Sequence, residues 1–274
     1  MSAFRIPGMF AVAVLCATTF TAQNAAPALA GPTMSIDAPI PPTPRAGLVE
    51  PFGRLTAPIF ESPLTAKWLE VERSIEADLE IIANCRRDRS NCTSPQAGQF
   101  LDIIEEAREH SGLARFGIVN RAINLAIRPQ SDWALHGVED RWSSPLATLA
   151  AGAGDCEDYA IAKFVALREA GVAASDLRLV IVRDAQTVED HAVVAARLDG
   201  RWRVLDNRNM ALAEDIAIYR YRPMFVIGTG GVERSEGPVL ARVTPAGDGH
   251  NPPPDDVAPA ALDYAIDATM ASAL

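Results

Sequence analysis

The sequence predicts an α+β domain, with helices first and an antiparallel β-sheet after them. Three observations carry this. Apolar residues recur at spacings of three and four between Leu64 and Ile127, the period of a helix with one buried face. Short runs rich in valine, leucine and isoleucine follow between Leu177 and Ile227, the composition of strands. Between two of those runs stands Asp199-Gly200, a dipeptide favoured by two-residue hairpin turns.

In chain order, Leu64, Trp68, Val71, Ile75, Leu79 and Ile82 mark the first helix. Phe100, Ile103, Ile104 and Ala107 mark a second. Leu113, Phe116, Ile123 and Ile127 mark a third, stopped before Pro129. Residues 129–154 read as a loop-rich stretch. A fourth helix runs from about Cys156 to Ala170 and stops at Gly171. The strand-like runs are Leu177–Arg183, His191–Leu198, Arg201–Leu205 and Met224–Ile227. The domain is therefore expected over 64–230, behind an extended lead-in at 31–63 that holds eight of the 20 prolines. Residues 231–274, rich in glycine, proline and aspartate, read as a tail without a core pattern.

Composition excludes some functions. The 274 residues include 35 acidic and 25 basic side chains, a formal charge of −10. Sequence-independent nucleic-acid binding needs a basic face, so no nucleic-acid partner is expected. Apolar residues at 49% suffice for one sizeable core. Beyond the N-terminus no apolar run of about 20 residues occurs, so a multi-span membrane protein is excluded. The N-terminus itself reads as an export signal. Residues 1–30 carry one charge, Arg5, then an apolar run from Met9 to Phe20, and end at Ala28-Leu29-Ala30, a small-x-small cleavage pattern.

Export frames the four cysteines. Cys16 leaves with the signal, and spare thiols outside the cytosol tend to pair. Cys85 and Cys92, seven apart across a polar loop, are the expected disulfide. Cys156 is then the odd thiol. It follows Gly152-Ala153-Gly154-Asp155 at the start of a helix, where unpaired amides favour a thiolate and an oxyanion. Asp155 and Asp158 are also spaced as a helix cap and its partner, so an ordinary capped helix with a small buried cysteine fits the same residues.

The hairpin supplies partners for that thiol. With Asp199 and Gly200 at the tip, opposed residues have numbers summing to 399, so Arg197 faces Trp202, Ala195 faces Val204 and Val193 faces Asp206. His191 shares the face of Val193, and Asp206 lies one diagonal step away. A cysteine at a helix start, with an imidazole and a carboxylate on neighbouring strands, is an arrangement for nucleophilic acyl transfer.

These residues resemble the bacterial transglutaminase-like cysteine peptidases of the LapG type. The resemblance spans about 64–228. It rests on Gly154-Asp155-Cys156-Glu157-Asp158-Tyr159-Ala160-Ile161-Ala162-Lys163, on His191-Ala192-Val193-Val194, on Leu205-Asp206-Asn207-Arg208, on Asn120 and Asn124, and on Asp140-Arg141-Trp142-Ser143-Ser144-Pro145. It implies a papain-like transglutaminase core with a Cys156, His191 and Asp206 triad. It implies Ca²⁺ bound by Asp155 and Glu157, with Asp140, backbone carbonyls or waters completing the shell, since hard oxygens suit that ion. It also implies a periplasmic protease that cuts the N-terminal region of a large surface adhesin, releases biofilm, and is sequestered by an inner-membrane cyclic di-GMP receptor. Trp142 is open to two roles, an indole N–H at the oxyanion or packing in the core. The Cys85/Cys92 pair and the proline-rich termini depart from the family pattern. Transamidase or amidase chemistry on the same triad, and a non-catalytic binding module, stay as alternatives on sequence alone.

Overall fold

The computed structural model describes residues 49–238. The expected signal segment and most of the expected tail lie outside them. After a short opening strand come three helices: α1 (Pro63–Arg87), α2 (Pro95–Arg108) and α3 (Gly112–Ala126). In α1 and α2 the first turn is set by a serine followed by proline. The Ser62 hydroxyl accepts from the Thr65 amide at 3.0 Å, and Ser94 from Ala97 at 3.2 Å. Trp68, Val71, Ile75 and Ile82 form the buried stripe of α1 that their spacing predicts. Cys85 and Cys92 are joined as a disulfide, which ties the end of α1 to the approach to α2.

The stretch expected to be loop-rich contains two short helices, α4 (Asp132–His136) and α5 (Pro145–Ala151). They are too short for a helical period to show in sequence. Helix α6 (Cys156–Glu169) follows and is buried along almost its whole length, from Glu157 to Leu167.

The main sheet has seven strands in the order β1-β9-β8-β4-β5-β6-β7, every pair antiparallel. Its members are β1 (Arg54–Pro58), β4 (Leu177–Asp184), β5 (Glu189–Leu198), β6 (Arg201–Asp206), β7 (Asn209–Glu214), β8 (Tyr221–Gly228) and β9 (Gly231–Pro238). A small parallel pair, β2 (Arg128–Pro129) with β3 (Ala153–Gly154), stands apart. The β5–β6 register is the one the Asp-Gly tip dictates, with Arg197 opposite Trp202 and Ala195 opposite Val204. Asp199 and Gly200 take φ of 51° and 77°, the left-handed pair that such a turn requires.

The ordered fold is wider than 64–230. Residues 54–58, expected as extended lead-in, pair with 231–238, expected as tail, and together they extend one side of the sheet. The strand beyond β8 is reached by a turn at Thr229-Gly230, and Gly231, which opens it, has a φ of 86°. Polar, proline-flanked sequence suffices here because β1 is an outer strand with little to bury.

Alternation along β5 separates two cores. Ala192, Val194 and Ala196 pack with the helices, around Phe100, Ile104, Ile123 and Leu167. Val193 and Ala195 pack on the other side with Val180, Val204, Trp202 and Tyr221, under Phe52 and Ile218.

Candidate active site

Cys156 is the first residue of α6 and is half-buried. Asp155 stands at the cap position, but its carboxylate does not cap the helix. Asp158 does not close a capping pair either. Its Oδ1 accepts from the Ser143 amide at 2.9 Å, and burial pushes its carboxyl up to about 7. That bond fastens the Asp140–Pro145 segment to α6, and Asp78 Oδ2, accepting from the Leu146 amide at 2.8 Å, fastens it to α1. Gly154 is needed beneath: a Cβ there would lie 2.5 Å from Asp158 Oδ2.

Trp142 is thereby held at the wall of a cavity of about 570 Å³. Cys156, His191, Ala192, Ile181 and Phe225 line it as well. Ile59, Leu64 and Arg234 complete the lining. Trp142 also packs edge-on against Trp68, with ring centroids 6.4 Å apart, so it serves the cleft wall and the packing together.

The hairpin brings His191 and Asp206 together. His191 Nε2 lies 2.8 Å from Asp206 Oδ1, and both residues are buried. Oδ1 also accepts from the Arg208 amide at 2.9 Å, and Oδ2 accepts from the Tyr221 hydroxyl at 2.6 Å. Burial opposes ionisation of Asp206, but the bonds from His191, Tyr221 and Arg208 outweigh it and hold the carboxyl down to about 2. An ionised carboxylate only accepts, so Nε2 carries a proton, and in the neutral imidazole Nδ1 then holds the lone pair. That Nδ1 is buried and has no hydrogen-bond partner among the described residues. Asn124 Nδ2 donates to the Asp206 carbonyl at 2.9 Å, while Asn120 Nδ2 donates to the carbonyls of Asn209 and Met210. The two asparagines thus pin the β6–β7 turn against α3.

The thiol itself points to Glu157, with Sγ 3.2 Å from Oε2. Burial first, then the Glu157 charge, push it well above the usual thiol range, and the Ala192 amide works in the opposite direction. A helix N-terminus alone does not make this thiol acidic.

A cluster of acids adds to the effect of burial. Ligand oxygens of Asp132, Asp155 and Glu157 lie within 4.8 Å of one another. Burial, and then the Asp155 carboxylate, raise Glu157 to about 9; burial is also the first cause of the rise at Asp155. The expected third acid, Asp140, is not a member of this cluster and pairs with Lys67 instead. Asp132 comes beside Asp155 because the β2–β3 pair lays residues 128–130 along 152–154, with the Gln130 amide donating to the Gly154 carbonyl at 2.9 Å. Nothing in local sequence links positions 132 and 155; only the parallel pairing does. Oδ1 of Asp132 and Oδ1 of Asp155 are buried without a hydrogen-bond partner among the described residues. Such oxygens are costly unless a cation or water meets them, and a hard divalent cation fits an all-carboxylate donor set.

No curated protein matches the chain. Among solved structures it is similar to Legionella pneumophila LapG, at 19% identity and a TM-score of 0.48, over 57% of this chain and 87% of that one. The calcium-bound form of the same protein matches at 18% and 0.48, over 61% and 92%, and the EGTA-treated form at 19% and 0.49, over 58% and 86%. Residues 73–223 match the model of a family of bacterial transglutaminase-like cysteine proteinases, over more than half of the chain. The chain belongs to that family and is a cysteine peptidase.

Proposed function

We propose that the chain is an exported, calcium-dependent thiol endopeptidase with Cys156 as nucleophile, His191 as base and Asp206 as the group that orients the base. The observation that carries this reading is the His191–Asp206 bond, which leaves Nδ1 without a partner on a residue that lines the same cavity as Cys156. In the reaction His191 Nδ1 takes the Sγ proton, and the thiolate attacks the scissile carbonyl carbon. The amides at the start of α6, with the Trp142 indole N–H at the cleft wall, face the oxyanion. The imidazolium returns its proton to the leaving amine as the C–N bond breaks, leaving an acyl thioester on Cys156. His191 then deprotonates a water, which attacks the thioester; the acid leaves and the thiol is restored.

Asp132, Asp155 and Glu157 would hold the calcium ion, which when bound supplies positive charge against the carboxylates that otherwise raise the thiol. Ion binding would also engage Glu157, to which the thiol is turned here. Among the described residues no helix is long and apolar enough to cross a membrane. Export to the periplasm rests on the pattern of residues 1–30. The substrate we infer is the N-terminal region of a large surface adhesin, with an inner-membrane cyclic di-GMP receptor as regulator; both rest on the family resemblance.

The test is incubation with the N-terminal fragment of a surface adhesin from the same genome, with and without chelator. Cutting that stops in chelator and returns with added Ca²⁺ supports the reading. Cutting that continues in excess chelator removes calcium from it, and an intact fragment under every condition removes the adhesin.

A further inference from the structure

Tyr221 occupies a position for which the triad gives no account. It opens β8, is buried, and lies on the side of the sheet that carries His191 and Asp206, its ring centroid 5.6 Å from that of His191. Its hydroxyl is 2.6 Å from Asp206 Oδ2. The same oxygen receives Arg220 Nη2 at 3.2 Å, and the guanidinium lies 5.0 Å from the ring centroid. Arg220 is anchored in turn by Gln186 Oε1 at 3.2 Å and by Asp184.

The direction of this chain follows from chemistry. A guanidinium only donates, so the phenol oxygen accepts from Arg220 and its own proton must point to Asp206. Burial, followed by the bond to Asp206, keeps the phenol protonated up to about 12, so the donor persists across the working range. Each carboxylate oxygen of Asp206 then has its own fixed donor besides the imidazole, the Arg208 amide on Oδ1 and the phenol on Oδ2. With both oxygens fastened, the carboxylate cannot rotate away from Nε2.

We propose that Tyr221 is a positioning residue for catalysis, which with Arg220 behind it locks Asp206 in the orientation that aims His191 at the thiol. This rests on the triad reading, and the test separates the two. The readout is the rate at which iodoacetamide alkylates Cys156 in the full chain at pH 7, followed on the Cys156 peptide by mass spectrometry, for wild type, Tyr221→Phe, Asp206→Ala and the double variant. Tyr221→Phe is expected to slow alkylation about tenfold, in the range for loss of a hydrogen bond to a charged group. Asp206→Ala is expected to slow it further, and Tyr221→Phe is expected to add nothing in that background, because its effect passes through Asp206.

Wild-type reactivity in Asp206→Ala would overturn the triad. A slow Asp206→Ala with a fast Tyr221→Phe would overturn the role of Tyr221 alone, as would a tenfold effect of Tyr221→Phe that survives in Asp206→Ala. A purely structural role would lower the melting temperature and leave the alkylation rate alone. Should Tyr221→Phe fail to fold, Arg220→Leu replaces it: it frees the phenol to turn, and is expected to give a smaller slowing that also vanishes with Asp206→Ala.

Discussion

Replacing Asp206 by asparagine keeps the shape of the side chain and removes its charge. In the wild type Oδ1 accepts from both His191 Nε2 and the Arg208 amide, so the asparagine carbonyl is expected to take that side and the neutral imidazole to keep its tautomer. The loss falls on the imidazolium formed when His191 takes the thiol proton. At a charge separation of about 4 Å and an effective dielectric near 20, the lost attraction is about 4 kcal/mol. That corresponds to about a thousandfold in rate. The amide nitrogen would also meet the Tyr221 hydroxyl proton, which must then turn, so the figure is a lower expectation. The assay is iodoacetamide alkylation of Cys156 at pH 7, with circular dichroism to show that the fold is retained. An Asp206→Asn rate within tenfold of wild type would refute the claim that this carboxylate sustains the charged pair.

Further outcomes follow from the same contacts. Because the Asp206 carboxyl is held down to about 2, below its ordinary 3.8, it contributes stability that is present above pH 4 and lost as the pH falls from about 4 to about 2. The amount is about 2 kcal/mol. Urea unfolding of wild type against Asp206→Asn should show this part of the acid loss in wild type only; parallel curves would contradict it. Reduction of Cys85–Cys92, which closes a short loop, should lower unfolding stability by about 2–3 kcal/mol and leave Cys156 reactivity unchanged; a matching fall in reactivity would mean that the link shapes the site. Calorimetry should show Ca²⁺ binding weakened at least about tenfold by Asp132→Ala, since one ligand of the cluster is lost, and untouched by Asp140→Asn. The reverse result would restore Asp140 to the ligand set.

Much of this was legible in the sequence, and for definite reasons. The stripes of α1 and α2 obey a helical period because each helix buries one face against a single core. The meeting of His191 and Asp206 could be worked out because a two-residue turn leaves no freedom in the register between its strands. The features that escaped depend on contacts between segments remote in sequence. Asp132 joins Asp155 only through the β2–β3 pairing, 24 residues away from Cys156. Tyr221 reaches Asp206 because β8 pairs with β4, β4 with β5 and β5 with β6. Strands β1 and β9 carry little apolar signal because they lie toward one edge of the sheet. Asp155 at a cap position suggested a cap, but its carboxylate makes no cap bond and lies beside those of Asp132 and Glu157.

The central claim is that Cys156 is made reactive by His191. The most direct measurement compares iodoacetamide alkylation of Cys156 in wild type and His191→Ala across pH 5–9, read on the Cys156 peptide. The wild-type thiol should react at neutral pH in the presence of Ca²⁺, and the His191→Ala thiol should be at least about a hundredfold slower and recover only at high pH, as removal of a general base requires. Equal rates for the two proteins across that range would contradict it.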